Sequence, residues 1–472
     1  MKKTLYLILL GLLAVSCNDF LIEEPKLSQS NELTLSKYEG LDNSVAGAYY
    51  RMQSSYWYGG EYIFYSELTA GNATNPVSIP GSGRFRQQEP WNFNESSTWA
   101  QWAYEYYTIN AANNVLANLD GKTGNGVTEK MIDNLKAEAL FLRAFCHFQL
   151  VTIYAQPYLE GQNRDMLGVP LMLKPEISSP ARATVGAVYD QVVADLLEAE
   201  SLMSDDYKRS GATDPFACVT KPVIQAMLSR VYLYMGEWQK CADYATKVIN
   251  SGKYELFDKD DYKKMWSNNI ADANGEIIFE VYSSKKNTAW DESGWTMLSY
   301  VTDKEGSGDV CATNDLYDLY EDGDVRKEMF VDSENDHMIT KYAGKTGSTD
   351  PKENNIPVLR LAEMYLNRAE AIYHGAAIDG VSAQSDLDAI TNKRGASQVS
   401  PGSETIFTER RKELAFEGHL FFDYKRLGKS ITRTDFRASG SNQNIDFPSN
   451  KWAMPIPKSE CDANPNMVQN PS

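Results

Sequence analysis

Residues 223–249, VIQAMLSRVYLYMGEWQKCADYATKVI, decide the fold. Apolar side chains recur at helical spacing from Val223 to Met235, Gly236-Glu237 breaks the period, and the period resumes from Trp238 to Ile249. The spacing therefore predicts one helix, a short turn and a second helix. Small residues, Gly236, Ala242 and Ala245, fall where two paired helices must approach closely. Such a pair cannot bury its apolar face alone, so several units should stack.

With Tyr232 and Tyr234 before Gly236, then Trp238, Ala242, Tyr244 and Ala245, the pair resembles a tetratricopeptide repeat. Working outward, the run Ala137 to Val151 is apolar nearly all round and predicts a helix buried on several sides at the centre of the fold. Val185 to Leu202 carries Val188, Val192, Leu196 and Ala199 on one stripe. A weaker pair is expected over Val358 to Tyr373 and Ser385 to Lys393. The expected fold is mainly α, a tetratricopeptide-like scaffold with repeat helices at about 132–155, 185–250 and 358–394, and long loop insertions carrying little β structure.

Between these helices, Gln53 to Ser97 and Phe257 to Asp350 lack helical period, apart from a strand-like run over Glu276 to Tyr282. Loops this long are functional or disordered. Their aromatic content argues against disorder. Aromatic residues concentrate between Tyr56 and Tyr107, interleaved with Asn72, Asn75, Arg84, Arg86, Asn92 and Asn94. Sugars present apolar C–H faces with a rim of hydroxyls, which flat rings beside amide and guanidinium donors suit. Trp99, Trp102 and Tyr106, at three- and four-residue spacing, predict a buried helix stripe. Trp57, Tyr58 and Trp91, set among Gly, Ser, Asn and Pro, are expected at a ligand surface with Asn72, Arg84 and Asn94. Trp290 and Trp295, flanking Asp291-Glu292-Ser293-Gly294, join them from the second long loop.

The amino terminus adds an address. Basic Met1-Lys2-Lys3 precedes a short apolar block, Leu5 to Leu13, and then Ala14-Val15-Ser16-Cys17. The block is shorter than the about 20 apolar residues of a membrane-spanning helix. It reads as a signal peptide over 1–16, with Cys17 as the acylated first mature residue and a polar, proline-broken tether over 17–30 ahead of a body spanning 31–472.

Net charge of −18 disfavours a nucleic-acid partner. The five cysteines beyond Cys17 are odd in number and form no CxxC pair, so no disulfide framework is expected. Cys146 and Cys241 fall inside helical patterns and should be buried. The four histidines show no zinc-ligand spacing. Ala343-Gly344-Lys345-Thr346 has Ile339 where a phosphate loop needs its first glycine. Asp315 to Asp324 lacks the calcium-loop register. No nucleophile elbow occurs, and nothing among 64 acidic residues singles out a catalytic pair. No catalytic residue, metal or cofactor is expected.

Several stretches together resemble one family. They are Cys17-Asn18-Asp19-Phe20-Leu21 with Pro25; Arg143-Ala144-Phe145 with Phe148 and Tyr154; Leu359 to Ala371; Arg410 with Glu413 to His419, Phe421-Phe422-Asp423 and Lys425-Arg426; and Met454-Pro455-Ile456-Pro457 with Asn464-Pro465-Asn466 and Gln469-Asn470-Pro471. In this order they are similar to the SusD/RagB family of nutrient-binding outer-membrane lipoproteins. Ala155 departs from that pattern, standing where glycine is common. The resemblance implies loops that carry the ligand site and a partner, a SusC-like TonB-dependent outer-membrane transporter. It implies a lipid-anchored protein facing the cell exterior that captures oligosaccharides; peptide cargo, or a surface glycoside hydrolase, are the alternatives. Physically, the alternation of charged and apolar residues from Arg410 to Arg426 predicts a buried helix end with its charges paired.

Overall fold

The computed structural model describes residues 34–78, 83–212, 214–266, 275–283, 307–342, 353–438 and 442–471, with isolated positions 297, 301 and 344. The lipidation residue, the tether, Trp290 and Trp295 lie outside the described residues.

Helix α1 spans Tyr38–Met52, α2 Glu61–Ala70, α3 Gln101–Asn118, α4 Glu129–Tyr154, α5 Val185–Leu202, α6 Lys221–Met235 and α7 Trp238–Ile249. After a long insertion come α8 Leu361–Tyr373, α9 Ala383–Arg394, α10 Ser403–Glu413 and α11 Leu420–Arg426. Helices α3 to α9 pack in succession, each chiefly on its chain neighbours, with α7 also seated on α8 across the insertion. This is the tetratricopeptide-like stack.

Local chemistry explains the deciding pair. Pro222 sits in the first turn of α6, where a missing N–H costs nothing. Gly236 ends the helix at φ 72°, a left-handed conformation that favours glycine. Cys241, Ala242, Ala245 and Val248 form the buried stripe of α7. Small side chains let three helices meet there: the Ser229 hydroxyl donates to the Cys241 carbonyl at 3.2 Å, and the Cys241 thiol faces the Asn367 carbonyl at 3.7 Å. As the sequence predicts, Cys146 and Cys241 are both buried.

Helix α4 begins at Thr128, whose side chain accepts from the Met131 N–H, and every residue from Ala137 to Tyr154 is buried. It is the central helix. Buried arginine–carboxylate forks staple the stack: Arg143 grips Asp195 at 2.7 Å between α4 and α5, Arg230 grips Glu363 at 2.6–2.7 Å between α6 and α8, and Arg368 grips Asp386 at 2.6–2.8 Å between α8 and α9. Two-point contacts of this kind fix orientation as well as distance.

Two expectations are corrected. The segment from Val358 is helical only from Leu361; Ile356–Arg360 is a strand, β6, paired antiparallel with β2, Ile277–Val281. All five residues of each strand are buried, so neither shows an alternating pattern. The stretch Gln53 to Ser97 contains α2, whose residues Tyr62 to Ala70 are all buried and therefore carry no amphipathic period. As expected, the second long insertion carries little β structure among the described residues. There, β3 (Cys311–Ala312), β4 (Phe330–Ser333) and β5 (Asp336–Ile339) join β1 (Ala73–Thr74) in one sheet of order β1-β3-β5-β4.

The charged segment at α10 and α11 is a buried ion network, as its alternation predicts. Glu413 receives Arg394 at 2.9 Å and Arg360 and Arg326 at 3.1 Å. Glu276 is shared by Arg360 and Arg394 at 2.8 Å, and Glu417 by Arg360 and Lys341 at 2.7 Å. The indole of Trp266 lies under Lys341 and Arg360, at 4.1 and 5.3 Å from the ring centroid.

Candidate functional site

The aromatic-rich insertion folds against α2, and its own rings hold it there. Phe85 and Trp91 have φ of 63° and 56°, left-handed values that cost a bulky residue of order 1 kcal/mol or more. Packing offsets that cost. Phe85 lies 5.6 Å from the Phe64 ring and 5.9 Å from Tyr65. The Trp91 indole donates to the Thr69 carbonyl at 2.8 Å and packs on Phe421 and Trp452. Asp336 pins the preceding turn, accepting from the Ser78 N–H at 2.9 Å and from Arg437.

Four of the residues expected at a ligand surface are core residues. Trp57 is fully buried, its indole N–H donating to Gln149 Oε1 at 2.8 Å, and the same Gln149 amide donates to the Tyr58 hydroxyl at 2.7 Å. Trp57 and Tyr58 are thus brought together, but behind the surface, against Phe145. Asn72 is buried between Glu67, 2.7 Å from its amide nitrogen, and Arg411, 2.7 Å from its carbonyl oxygen. Trp91 is buried as described above. Composition placed these rings in a loop, yet their hydrogen-bond partners lie 22 to 92 residues away. Local sequence carries no trace of such partners.

Arg84 and Asn94 are exposed on the insertion. The solvent-facing aromatics are different ones. Tyr50 is 42 %, Tyr56 45 % and Tyr107 60 % exposed. Tyr56 stacks on Tyr104 with centroids 5.7 Å apart and planes 28° from parallel, and the Arg51 guanidinium stands 5.1 Å over the Tyr107 ring. The signal for them was available. Tyr50 falls off the Leu41, Val45, Ala48, Met52 stripe of α1, and Tyr107 falls off the buried positions of α3. Below them, Trp102 is buried and Tyr106 is half-buried with its hydroxyl donating to the Pro170 carbonyl, while Trp99 is buried just ahead of the helix that it was expected to join.

Beside this surface lies a cavity of about 540 Å³. Its walls come from α1, residues 209–212 and 214–218, and β2, with Tyr50 belonging both to its lining and to the exposed tyrosines. Asp42, Asp214 and Glu280 line it, as does Arg209, which is held by Glu138 at 2.7 Å and Asp42 at 2.8 Å.

Burial decides the state of the other polar groups near α2 and α3. It pushes the Glu105 carboxyl well above the usual range. Burial raises Glu61 to about 7 against the opposing hydrogen bond from Tyr65, and Glu67 to about 7 against bonds from Asn72, Phe416 and Gly418. His147 is lowered to about 3 by burial and by Arg143, and its ring meets the Arg143 carbonyl and the Met172 N–H. Among the described residues no group of three or more His, Cys, Asp or Glu side chains is arranged to hold a metal ion.

Comparisons with known proteins place this geometry. A family model described as "Starch-binding associating with outer membrane" matches residues 19–233, and one described as "SusD family" matches residues 330–472. A solved SusD superfamily protein from Bacteroides thetaiotaomicron superimposes with a TM-score of 0.81 at 30 % identity, covering 92 % of this chain and 100 % of its own. A solved putative sugar binding protein from Bacteroides vulgatus gives 0.81 at 29 %, covering 93 % and 99 %. The SusD-like protein P2 of Formosa agariphila is 24 % identical over 99 % of both chains. A helix-pair stack, the signatures around α4, α8 and α10–α11, and end-to-end likeness to these proteins lead to one assignment: this chain belongs to the SusD/RagB family.

Proposed function

We propose that the protein captures oligosaccharides at the outer cell surface and passes them unaltered to a TonB-dependent outer-membrane transporter, while a lipid on Cys17 holds it to the membrane. The observation that carries this reading is the exposed tyrosine surface at the end of α1 and along α3. Tyr56, stacked on Tyr104, and Tyr107, under the Arg51 guanidinium, are both exposed to solvent. A sugar ring gains from such a face what an aromatic partner gains, and its hydroxyls need neighbouring donors and acceptors. The family's outer-membrane description and the sugar-binding relative support the same reading. No catalytic step is part of it.

Isothermal titration against a panel of oligosaccharides tests the reading. For a glycan that binds, Tyr56→Ala and Tyr107→Ala should each weaken affinity about three- to tenfold, as loss of one ring contact of about 0.5–1.5 kcal/mol implies. Trp57→Phe should leave affinity unchanged and lower folding stability by about 1–3 kcal/mol, because it leaves the Gln149 carbonyl without its buried donor. Silence across a broad panel would contradict the function; a loss of affinity in Trp57→Phe alone would contradict the site. Cys17→Ala should yield a soluble, unlipidated protein with undiminished affinity, checked by membrane fractionation and the same titration.

A further inference from the structure

The cavity beside the tyrosine surface is blind. Met52, Cys218, Phe279 and Val281 close its inner end, and all four are buried. Its mouth runs along α1, where Ala46, Gly47 and Tyr50 are exposed. Its volume of about 540 Å³ falls inside the range of small-ligand sites. Tyr50 lines it, while the next residue, Arg51, stands over the Tyr107 ring. Successive helical residues point about 100° apart, so the last turn of α1 is a ridge with the cavity on one flank and Tyr107 on the other.

Gly47 keeps the mouth wide. It lies inside α1 and is not in the left-handed region. A Cβ there would meet nothing within 4 Å, whereas at Gly40 of the same helix a Cβ would run into the Thr34 carbonyl. Close packing therefore requires a glycine at Gly40, and neither packing nor backbone conformation requires one at Gly47. A glycine inside a helix weakens it relative to alanine. What Gly47 gives in return is room at the cavity mouth, the exchange of stability for binding that functional positions show. The walls offer a sugar its hydrogen bonds, with Asn43, Gln53 and Ser210 as neutral donors and acceptors and Arg209 already held by Glu138 and Asp42.

A closed cavity decides which part of a chain can enter. The interior of a linear glycan continues in two directions and needs an open groove; a terminal unit continues in only one. We infer that the cavity is the end-stop of the glycan site: the terminal unit of an oligosaccharide enters it past Gly47, while the units before it cross the last turn of α1 and lie on Tyr107 and Tyr56. This rests on the oligosaccharide reading above and narrows the cargo to chains presented by a free end.

The test uses the mature chain and linear hexasaccharides of glucan, mannan, xylan and galactan linkage, followed, for a hexasaccharide that binds, by the unbranched polymer of the same linkage. The two ends of such a polymer differ chemically, so sedimentation should count one protein per polymer chain, with an affinity per chain within about threefold of the hexasaccharide's. Several proteins per chain, or none at a chain concentration where the hexasaccharide saturates, would overturn the inference while leaving glycan capture standing. Gly47→Leu, which fills the mouth, should weaken hexasaccharide binding about tenfold or more without lowering the melting temperature, since leucine is the better helix former. Gly47→Ala separates space from helix strength: it also strengthens α1 but adds a single methyl, and should keep affinity within about threefold. Undiminished affinity in Gly47→Leu, or an equal loss in both variants, would also overturn the inference. Binding of no hexasaccharide would instead remove the reading on which it rests.

Discussion

Replacing Glu413 with alanine is expected to destabilise the protein by about 3–5 kcal/mol, a large part of the about 5–15 kcal/mol that holds a typical domain folded. The carboxylate is fully buried and faces Arg326, Arg360 and Arg394 together. Its loss leaves three guanidiniums in a dry interior with only Glu276, Glu409, Glu417 and Asp324 to share. Burial by itself would raise the pKa of Glu413, but Arg394, Arg360 and Arg326 overcome it and hold the group well below the usual carboxylate range. The sign follows. A carboxyl depressed in the folded state contributes its stability in full above the unfolded value of about 4.3 and loses it as pH falls toward the folded pKa. Chemical denaturation at neutral pH should show the full deficit of Glu413→Ala, and the deficit should shrink as the medium is acidified. The exposed pair Lys130–Asp206, at 2.8 Å, is the control: Asp206→Ala should scarcely move the midpoint. A Glu413→Ala protein as stable as wild type would mean that the network is not what couples β6, α9 and α10.

Glu105→Met is expected to act in the opposite direction and stabilise by about 1–3 kcal/mol at neutral pH. Glu105 sits in α3, fully buried, and neither carboxyl oxygen has a hydrogen-bond partner among the described residues. Burial raises its pKa well above the ordinary value. A group raised in this way keeps its proton on folding, so the pH-dependent part of its cost is absent below about pH 4.3 and grows as pH rises through the range where the unfolded carboxyl is ionised. The advantage of Glu105→Met should therefore increase from acid toward neutral pH. Glu61 and Glu67, both raised to about 7, add cost over the same window and remain in the variant. If Glu105→Met proved destabilising at every pH, the carboxyl would have to be making a stabilising contact, and a ligand or partner role for this acid would deserve the first test.

These two residues show where sequence reading succeeds and where it stops. The alternation of charge and apolar residues around Glu413 announces paired burial, and helices α4 to α7 announce themselves by period and by Gly236. Helix α2 and strand β6 do not, because residues buried on all sides show neither a 3.6 nor a 2.0 period. The candidate site was legible only as a region. Trp57 looks like a loop aromatic until Gln149, 92 positions away, is seen to hold it. Tyr107 could be singled out only by laying α3 on a helical wheel. The cavity unites Asp42, Asp214 and Glu280, three acids from distant segments that nothing local distinguishes from the other acidic residues.

The central claim is that sugar is held, uncut, on the exposed tyrosines and not on the buried tryptophan cluster. A crystal structure of the protein with an oligosaccharide that titration shows to bind tests it most directly. The expected result is an intact sugar chain with a pyranose ring against Tyr56 or Tyr107, and Trp57 still bonded to Gln149. Density for sugar in a pocket opened around Trp57 and Tyr58, or a cleaved sugar, would contradict it.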